Sequence, residues 1–200
     1  MDRREAIQKA SLILGYAITG PTLAGVLSGC KATPEAGFTP VFFSNEQGVL
    51  IETLAEIIIP KTDTPGAKEA GVPQFMDTLI ANVYSKEQQE KFIADLNAFD
   101  ADAKATFGNS FIECGAEEQL QHFEKHHAQA IQDATGGGPT GWWNAGTGSD
   151  KPFVLKIKEL VLAGYFTSEL GATQALQYNP VPGPFRGCVP LAEVGKAWAT

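Results

Sequence analysis

The three histidines His122, His126 and His127 could do chemistry because all of them fall on one predicted helix. His122 and His126 have the i, i+4 spacing with which a helix presents two imidazoles to a zinc ion. The residue after His122, however, is not the glutamate of a zinc-protease helix. A helical wheel centred on Leu120 points His127 inward and the other two histidines toward solvent. We therefore predict a solvated pair and no metal ligands, with a metal-dependent enzyme using His122, His126 and Glu124 as an alternative.

Other reactive constellations are incomplete. Glu124 and His127 form one Glu-x-x-His, but a carboxylate-bridged di-iron bundle needs a second copy and two further inward glutamates. The run Gly146–Lys151 lacks the third glycine of a dinucleotide-binding turn, and the chain contains no phosphate-binding loop or Gly-x-Ser-x-Gly. No sequence feature marks Cys114 as an activated thiol. The sequence therefore predicts no catalytic and no cofactor-binding residues in this chain.

The first thirty residues have the anatomy of an export signal. A polar, basic segment containing Arg3 and Arg4 precedes a weakly apolar run, Ala10–Leu27, which Pro21 and three glycines interrupt. Adjacent arginines are the twin-arginine address, which is read by a machinery that carries folded proteins. Leu-Ser-Gly-Cys, ending at Cys30, looks like a lipobox, whose cysteine is acylated and becomes the new N-terminus. We expect an exported, periplasmic protein that is lipid-anchored to a membrane through Cys30.

The chain divides by pattern into a signal over residues 1–29, a tether over 30–43 and one helical domain over 44–200. Two prolines and a glycine argue against regular structure in the tether, and Phe42 and Phe43 are predicted to dock on the body. The whole chain has a formal net charge of −8. An acidic body without a basic cluster argues against nucleic-acid binding, which depends on neutralising phosphates.

Three cysteines occur, Cys30, Cys114 and Cys188. If Cys30 is lipidated, Cys114 and Cys188 are the one pair that an oxidising compartment could join. Two separate buried thiols are the alternative, and the sequence leaves the choice open.

Hydrophobic spacing predicts an all-α domain, an irregular bundle of about six helices. Ser44 and Ser85 each stand three residues before a glutamine, the spacing of a capping box. The predicted helices span residues 44–59, 73–83, 85–107, 116–134, 152–165 and 169–176. Their predicted inward side chains include Val49, Leu50, Leu54, Ile57, Ile58, Phe75, Met76, Leu79, Ile80, Val83, Phe92, Ile93, Leu96, Phe99, Ala103, Val154, Ile157, Leu160, Val161 and Leu162.

Two segments outside the helices offer contact area for a partner. Trp142 and Trp143 lie in a loop with six glycines, and tryptophan is enriched in binding hot spots. Tyr165, Phe166 and Tyr178 form a second aromatic set beside the proline-rich C-terminal tail. Each set has a structural alternative, in which the loop or the tail packs on its own domain.

Three runs together resemble the gluconate 2-dehydrogenase subunit 3 family: Leu54–Gly71, Gly164–Gly171 and Leu176–Gly183. With the twin-arginine start, the resemblance covers about residues 44 to 190. It implies a non-catalytic small subunit of an exported flavin-dependent dehydrogenase acting on a sugar or polyol. The expected roles of the small subunit are in folding and export of the catalytic subunit, and the lipobox at Cys30 would add membrane tethering of the complex.

The resemblance also implies the partners. They are a flavin-dependent subunit of the glucose-methanol-choline type, which would carry the FAD, and often a cytochrome c subunit. The lipobox at Cys30 is not general in the family. The alternative function is a stand-alone periplasmic lipoprotein that binds another protein or a carbohydrate.

Overall fold

A computed structural model of the chain describes residues 35–135, 151–181, 183–184 and 186–199. Contacts divide the chain into Met1–Pro34 and Glu35–Thr200, and all described residues belong to the second unit. Five residues of the sequence predictions, Arg3, Arg4, Cys30, Trp142 and Trp143, lie outside the described residues.

The described residues form a helical domain, which confirms the all-α prediction. Five of the six predicted helices occur within two residues of their predicted bounds, and the predicted sixth is a π-helical turn, Gly171–Ala175. In the described part of the chain, β pairing is limited to one isolated bridge between Gln177 and Trp198. The α-helices are α1 (Asn45–Ile58), α2 (Val72–Val83), α3 (Lys86–Phe107), α4 (Ala116–Thr135), α5 (Phe153–Thr167) and the unpredicted α6 (Leu191–Val194); a 3-10 helix spans Phe111–Glu113.

Both predicted capping boxes are present. The Ser44 hydroxyl accepts from the Gln47 backbone amide at 3.2 Å, and the Gln47 side chain accepts from the Ser44 amide at 3.0 Å. Ser85 and Gln88 make the same reciprocal pair at the start of α3. These bonds satisfy amides of the first turn that have no partner inside the helix.

Helix α5 lies at the centre of the domain, because it packs against α1, α2, α3 and α4. Its side chains Val154, Ile157 and Val161 are all at most 4% exposed. Gly164 allows α2 to approach closely, since a Cβ there would lie 2.7 Å from the Phe75 ring. None of the described helices is long and apolar enough to cross a membrane.

Most of the predicted inward side chains are buried or half-buried, and three are exposed. Phe75, Val83 and Leu162 were predicted to face inward and are 37%, 70% and 36% exposed. The buried face of α2 runs along Val72, Met76 and Ile80 in steps of four residues. Phe75 lies to one side of this face, and Val83 is the last residue of the helix. At Phe75 and Leu162, the sequence periodicity predicts a wider apolar stripe than the neighbouring helices cover.

The N-terminal segment enters the domain at a buried carboxylate. Asp77 on α2 is 1% exposed and accepts hydrogen bonds from three consecutive backbone amides, those of Val41 (2.7 Å), Phe42 (3.0 Å) and Phe43 (2.9 Å). The Phe43 ring is 5% exposed and belongs to the core, which confirms the predicted docking. A buried carboxylate is tolerable only when it is hydrogen-bonded, and these amides supply the bonds.

Two glutamates of α1 hold neighbouring loops. Glu52, 6% exposed, accepts from the Gly37 amide at 2.8 Å and from the Lys68 ammonium at 3.0 Å. Glu56 accepts from the backbone amides of Lys61 (2.9 Å) and Lys68 (3.1 Å). The carboxylates therefore fasten both the entering segment and the α1–α2 loop to one helix.

We expect Asp77→Ala to lower the free energy of unfolding by about 3 kcal/mol or more, because buried backbone amides lose their acceptor. Urea unfolding followed by circular dichroism measures the change. Asp133→Ala is the matched control: Asp133 accepts from the exposed Gln129 side chain four residues earlier, so its loss should cost less than about 0.5 kcal/mol. Equal effects of the two substitutions would contradict the anchoring role of Asp77.

Candidate functional site

One group of possible metal ligands joins α3 to α4 in the described part of the chain. Asp102 lies on α3, and His122 and His126 lie one turn apart on α4. The nearest ligand-type atoms of the three side chains are all within 4.8 Å of one another. These three residues are called the α3–α4 cluster below.

His122 is held in a defined protonation state. Its side chain is 1% exposed, and its Nε2 lies 3.2 Å from the Phe99 backbone carbonyl. Because a carbonyl only accepts, Nε2 must carry the proton and donate. Burial lowers the pKa of His122, so the ring stays neutral at neutral pH. The other nitrogen, Nδ1, therefore presents a lone pair.

That lone pair has no hydrogen-bond partner. Nδ1 of His122 is buried and unsatisfied, and it lies 3.9 Å from Oδ2 of Asp102. The ring is packed among phenylalanines, with centroid distances of 4.7 Å to Phe99, 5.8 Å to Phe111 and 5.9 Å to Phe107. An apolar wall thus surrounds the imidazole and leaves Nδ1 facing the carboxylate.

Asp102 forms the solvent side of the cluster. Its side chain is 41% exposed, and Oδ2 accepts from His126 Nε2 at 2.9 Å and from Lys125 Nζ at 3.3 Å. The hydrogen bond from His126, with a further contribution from Lys125, holds the pKa of Asp102 below its ordinary value. The carboxylate is therefore ionised at neutral pH. His126 also lines a surface pocket of about 270 Å³ that includes Phe153.

The predicted orientation of His122 is wrong. The wheel takes Leu120 as the centre of the inward face, but Leu120 is 47% exposed. The buried face of α4 instead carries His122 and Phe123. The predicted solvation of His126 holds in part, since its side chain is 30% exposed.

His127 and Glu124 lie outside the cluster. His127 is half-buried and stacks on Phe123 at 6.2 Å, and its Nε2 lies 3.3 Å from the Lys158 ammonium. Glu124 is exposed, so Asp102 supplies the carboxylate that the alternative metal site assigned to Glu124. Asp102 was missed because it comes from a different helix, and no local spacing links it to the histidines.

The predicted partner-contact residues divide into buried and exposed. Tyr165 is 2% exposed, so its prediction as a contact residue is corrected: it packs in the core and its hydroxyl donates to the Pro65 carbonyl at 2.7 Å. Phe166 and Tyr178 are 42% and 59% exposed, as a contact role requires. Tyr165 was misassigned because adjacent residues of a helix face different sides.

The two cysteines of the domain are free thiols in the structure, Cys114 buried and Cys188 exposed. This is the unbonded arrangement that the sequence left open, although Cys188 is not buried. Burial, together with nearby carboxylates, raises the pKa of Cys114. Its thiol is therefore protonated at neutral pH and a poor nucleophile.

Residues of the runs Leu54–Gly71 and Gly164–Gly171 form hydrogen bonds and close contacts inside the domain. The Tyr165–Pro65 hydrogen bond joins the second run to the first across the core. Gly171 sits where a Cβ would lie 1.9 Å from the Tyr165 carbonyl oxygen, so only glycine fits at this π-helical turn. Ser168 completes the turn by donating to that carbonyl and accepting from the Gly171 amide. These residues shape the domain rather than a reaction centre.

The family model described as gluconate 2-dehydrogenase subunit 3 matches residues 45–183 of the chain. The match contains helices α1 to α5 and all three runs. No curated protein and no solved structure matches the chain significantly.

We expect Tyr165→Phe to lower the free energy of unfolding by about 1–2 kcal/mol, since the Pro65 carbonyl loses its donor while ring packing is kept. Thr167→Val is the matched control, because it removes an exposed hydroxyl that donates to the backbone carbonyl of Ala163 within its own helix. Urea unfolding compares the two. A Tyr165→Phe protein as stable as the unsubstituted chain would show that the bond between the runs contributes nothing.

Proposed function

The chain belongs to the gluconate 2-dehydrogenase subunit 3 family, and from that premise we propose that it is the non-catalytic small subunit of an exported, flavin-dependent sugar or polyol dehydrogenase. The family description names a subunit of a dehydrogenase, so a dehydrogenase partner follows from it. The match over residues 45–183 is the observation that carries the proposal.

We place the redox chemistry in the partner. A catalytic subunit of the glucose-methanol-choline type would hold the FAD, and a cytochrome c would be a further possible subunit. Two structural facts support this division. The runs typical of the family make internal contacts, and the buried carboxylates of Asp77 and Glu52 bind the chain's own backbone amides. Their acceptor capacity serves folding rather than catalysis.

We also propose that the N-terminal region provides export and attachment. Arg3 and Arg4 would give the twin-arginine address, and acylated Cys30 would hold the mature chain on a membrane. The hydrogen bonds of Val41–Phe43 to Asp77 suit a tethered protein, because a force transmitted from the lipid anchor would act on a segment that is fixed to the core.

For the partner surface, we favour the exposed aromatic pair Phe166 and Tyr178. Large aromatic side chains supply much contact area at a small cost in conformational entropy, and they are enriched in interfaces. Phe166 follows a core residue on α5, so the ring is presented from a rigid helix. The contribution of Trp142 and Trp143 stays a prediction.

A C-terminally tagged chain, expressed with its native partner, should retain a yellow flavoprotein on the affinity column. Phe166→Ala with Tyr178→Ala should reduce the retained flavin at least about tenfold, the loss expected when contact residues worth more than about 1.4 kcal/mol are removed. Flavin absorbance per tagged chain is the measurement.

Leu120→Ala is the matched control, because Leu120 is exposed to a similar degree, 47%, on a different helix. Its flavin yield should equal that of the unsubstituted chain. A chain that elutes without any flavoprotein would instead favour the stand-alone lipoprotein.

Replacing Arg3 and Arg4 by lysine should strand the dehydrogenase activity in the cytoplasm, although the charge of the leader is kept. Cys30→Ala should leave the complex exported but release it from the membrane fraction, since the lipid anchor is lost. Cell fractionation with a dye-linked dehydrogenase assay follows both effects.

Cys188→Ala is the control for the second effect, because it removes the exposed thiol and leaves the lipobox intact. Full periplasmic activity in the double lysine variant would contradict the export role. Membrane-bound activity after Cys30→Ala would contradict the anchor alone.

A further inference from the structure

We propose that the α3–α4 cluster is a binding site for one zinc ion, with Nδ1 of His122, Nε2 of His126 and Oδ2 of Asp102 as its ligands. The site is independent of the redox partner and would clamp two helices of this subunit to each other.

The orientation of His122 favours a bound cation. Its Nδ1 lone pair and the Asp102 carboxylate, both acceptors, face each other across 3.9 Å. Two acceptors in that position repel unless a proton or a cation lies between them. The proton of His122 is engaged on the opposite nitrogen, at the Phe99 carbonyl, so a cation is the species that satisfies both groups.

The surroundings of His122 are those of a metal ligand. Ligating histidines typically donate their second ring N–H to a backbone carbonyl, which fixes the tautomer and the orientation of the ring. Phe99 provides that carbonyl, and its own ring packs against His122 and His126 at 4.7 Å and 5.0 Å. The metal-facing nitrogen therefore exists before any ion arrives.

The donor set selects the type of ion. Two imidazole nitrogens and one carboxylate oxygen are the ligands of an open zinc site, in which water takes the fourth position. Magnesium and calcium prefer oxygen ligands throughout. Ligand atoms around tetrahedral zinc lie about 3.3 Å apart. The ligand atoms of the cluster are now separated by up to 4.8 Å, so the longer of these distances must shorten when zinc binds. Asp102, 41% exposed, is the side chain with room to move.

Two local changes accompany binding. His126 now donates its Nε2 proton to Asp102 at 2.9 Å; zinc would take the place of that proton, and the ring would carry its proton on Nδ1 instead. Lys125 lies 3.3 Å from the same carboxylate oxygen and opposes a second cation. Its side chain is 61% exposed, so it can turn into solvent, and its charge should weaken the site without abolishing it.

Zinc titration calorimetry on the mature chain, prepared without a polyhistidine tag and in a Cys188→Ser background, tests the site. One zinc per chain is expected. Asp102→Asn and His126→Gln should each weaken binding at least about tenfold, the typical loss when a ligand or its support is removed. His127→Gln should bind as the unsubstituted chain does, because His127 is on the same helix but contacts Lys158 instead.

Lys125→Gln is expected to change the zinc affinity in the opposite direction from the ligand substitutions. Removing the cation beside Asp102 should tighten zinc binding several-fold, whereas a merely structural hydrogen-bond cluster would show no such gain. In thermal melts, zinc at about one hundred times its dissociation constant should raise Tm by about 5–10 °C, and magnesium should not.

Absence of stoichiometric zinc binding would overturn the site. Equal affinity of the unsubstituted, Asp102→Asn and His126→Gln chains would do the same, as would an equal loss in His127→Gln. If a ligand variant fails to fold by circular dichroism, the Lys125→Gln comparison decides, since that residue is exposed: unchanged or weaker binding there counts against the proposal.

Discussion

The buried carboxylate of Asp77 is the interaction on which the arrangement of the domain depends. It lies on α2, yet its three hydrogen bonds go to the segment that leads into α1. A buried carboxylate is stable only if its oxygens accept hydrogen bonds. Folding must therefore bring the amides of Val41–Phe43 to Asp77. Phe43 thereby lies in the core, and the next residue, Ser44, is the N-cap of α1.

Because buried polar groups need hydrogen-bond partners, His122 differs from the other buried polar residues. Glu52, like Asp77, is a buried polar residue whose acceptor capacity is used by named donors in the structure. Among the described residues, the Nδ1 of His122 is the buried side-chain polar atom without a hydrogen bond. A domain that satisfies its other buried polar side chains with local partners has left a lone pair beside an ionised carboxylate. That contrast is the physical basis for assigning the cluster to a cation.

The family relationship and the packing give consistent accounts of the same residues. Tyr165 and Pro65 lie a hundred positions apart and are joined by a hydrogen bond, and both lie within the part of the chain that the family model matches. Gly164 and Gly171 are required by contacts with α2 and with the Tyr165 carbonyl. Helix α5, which carries Tyr165 and Gly164, touches the four preceding α-helices, so these residues fix the centre of the domain.

The sequence by itself determined the helices, because caps and apolar spacing are local: Ser44 and Ser85 mark helix starts that the structure confirms. It also determined the family, since each of the three runs is a continuous stretch of sequence. Only the tertiary structure decided which side of each helix is covered, which is why Phe75 and Tyr165 were assigned to the wrong environments. The proximity of Asp102 to His122 could not be predicted from local sequence spacing either. It depends on α3 lying beside α4, and that packing is set by contacts between residues far apart in the chain rather than by any spacing within one helix.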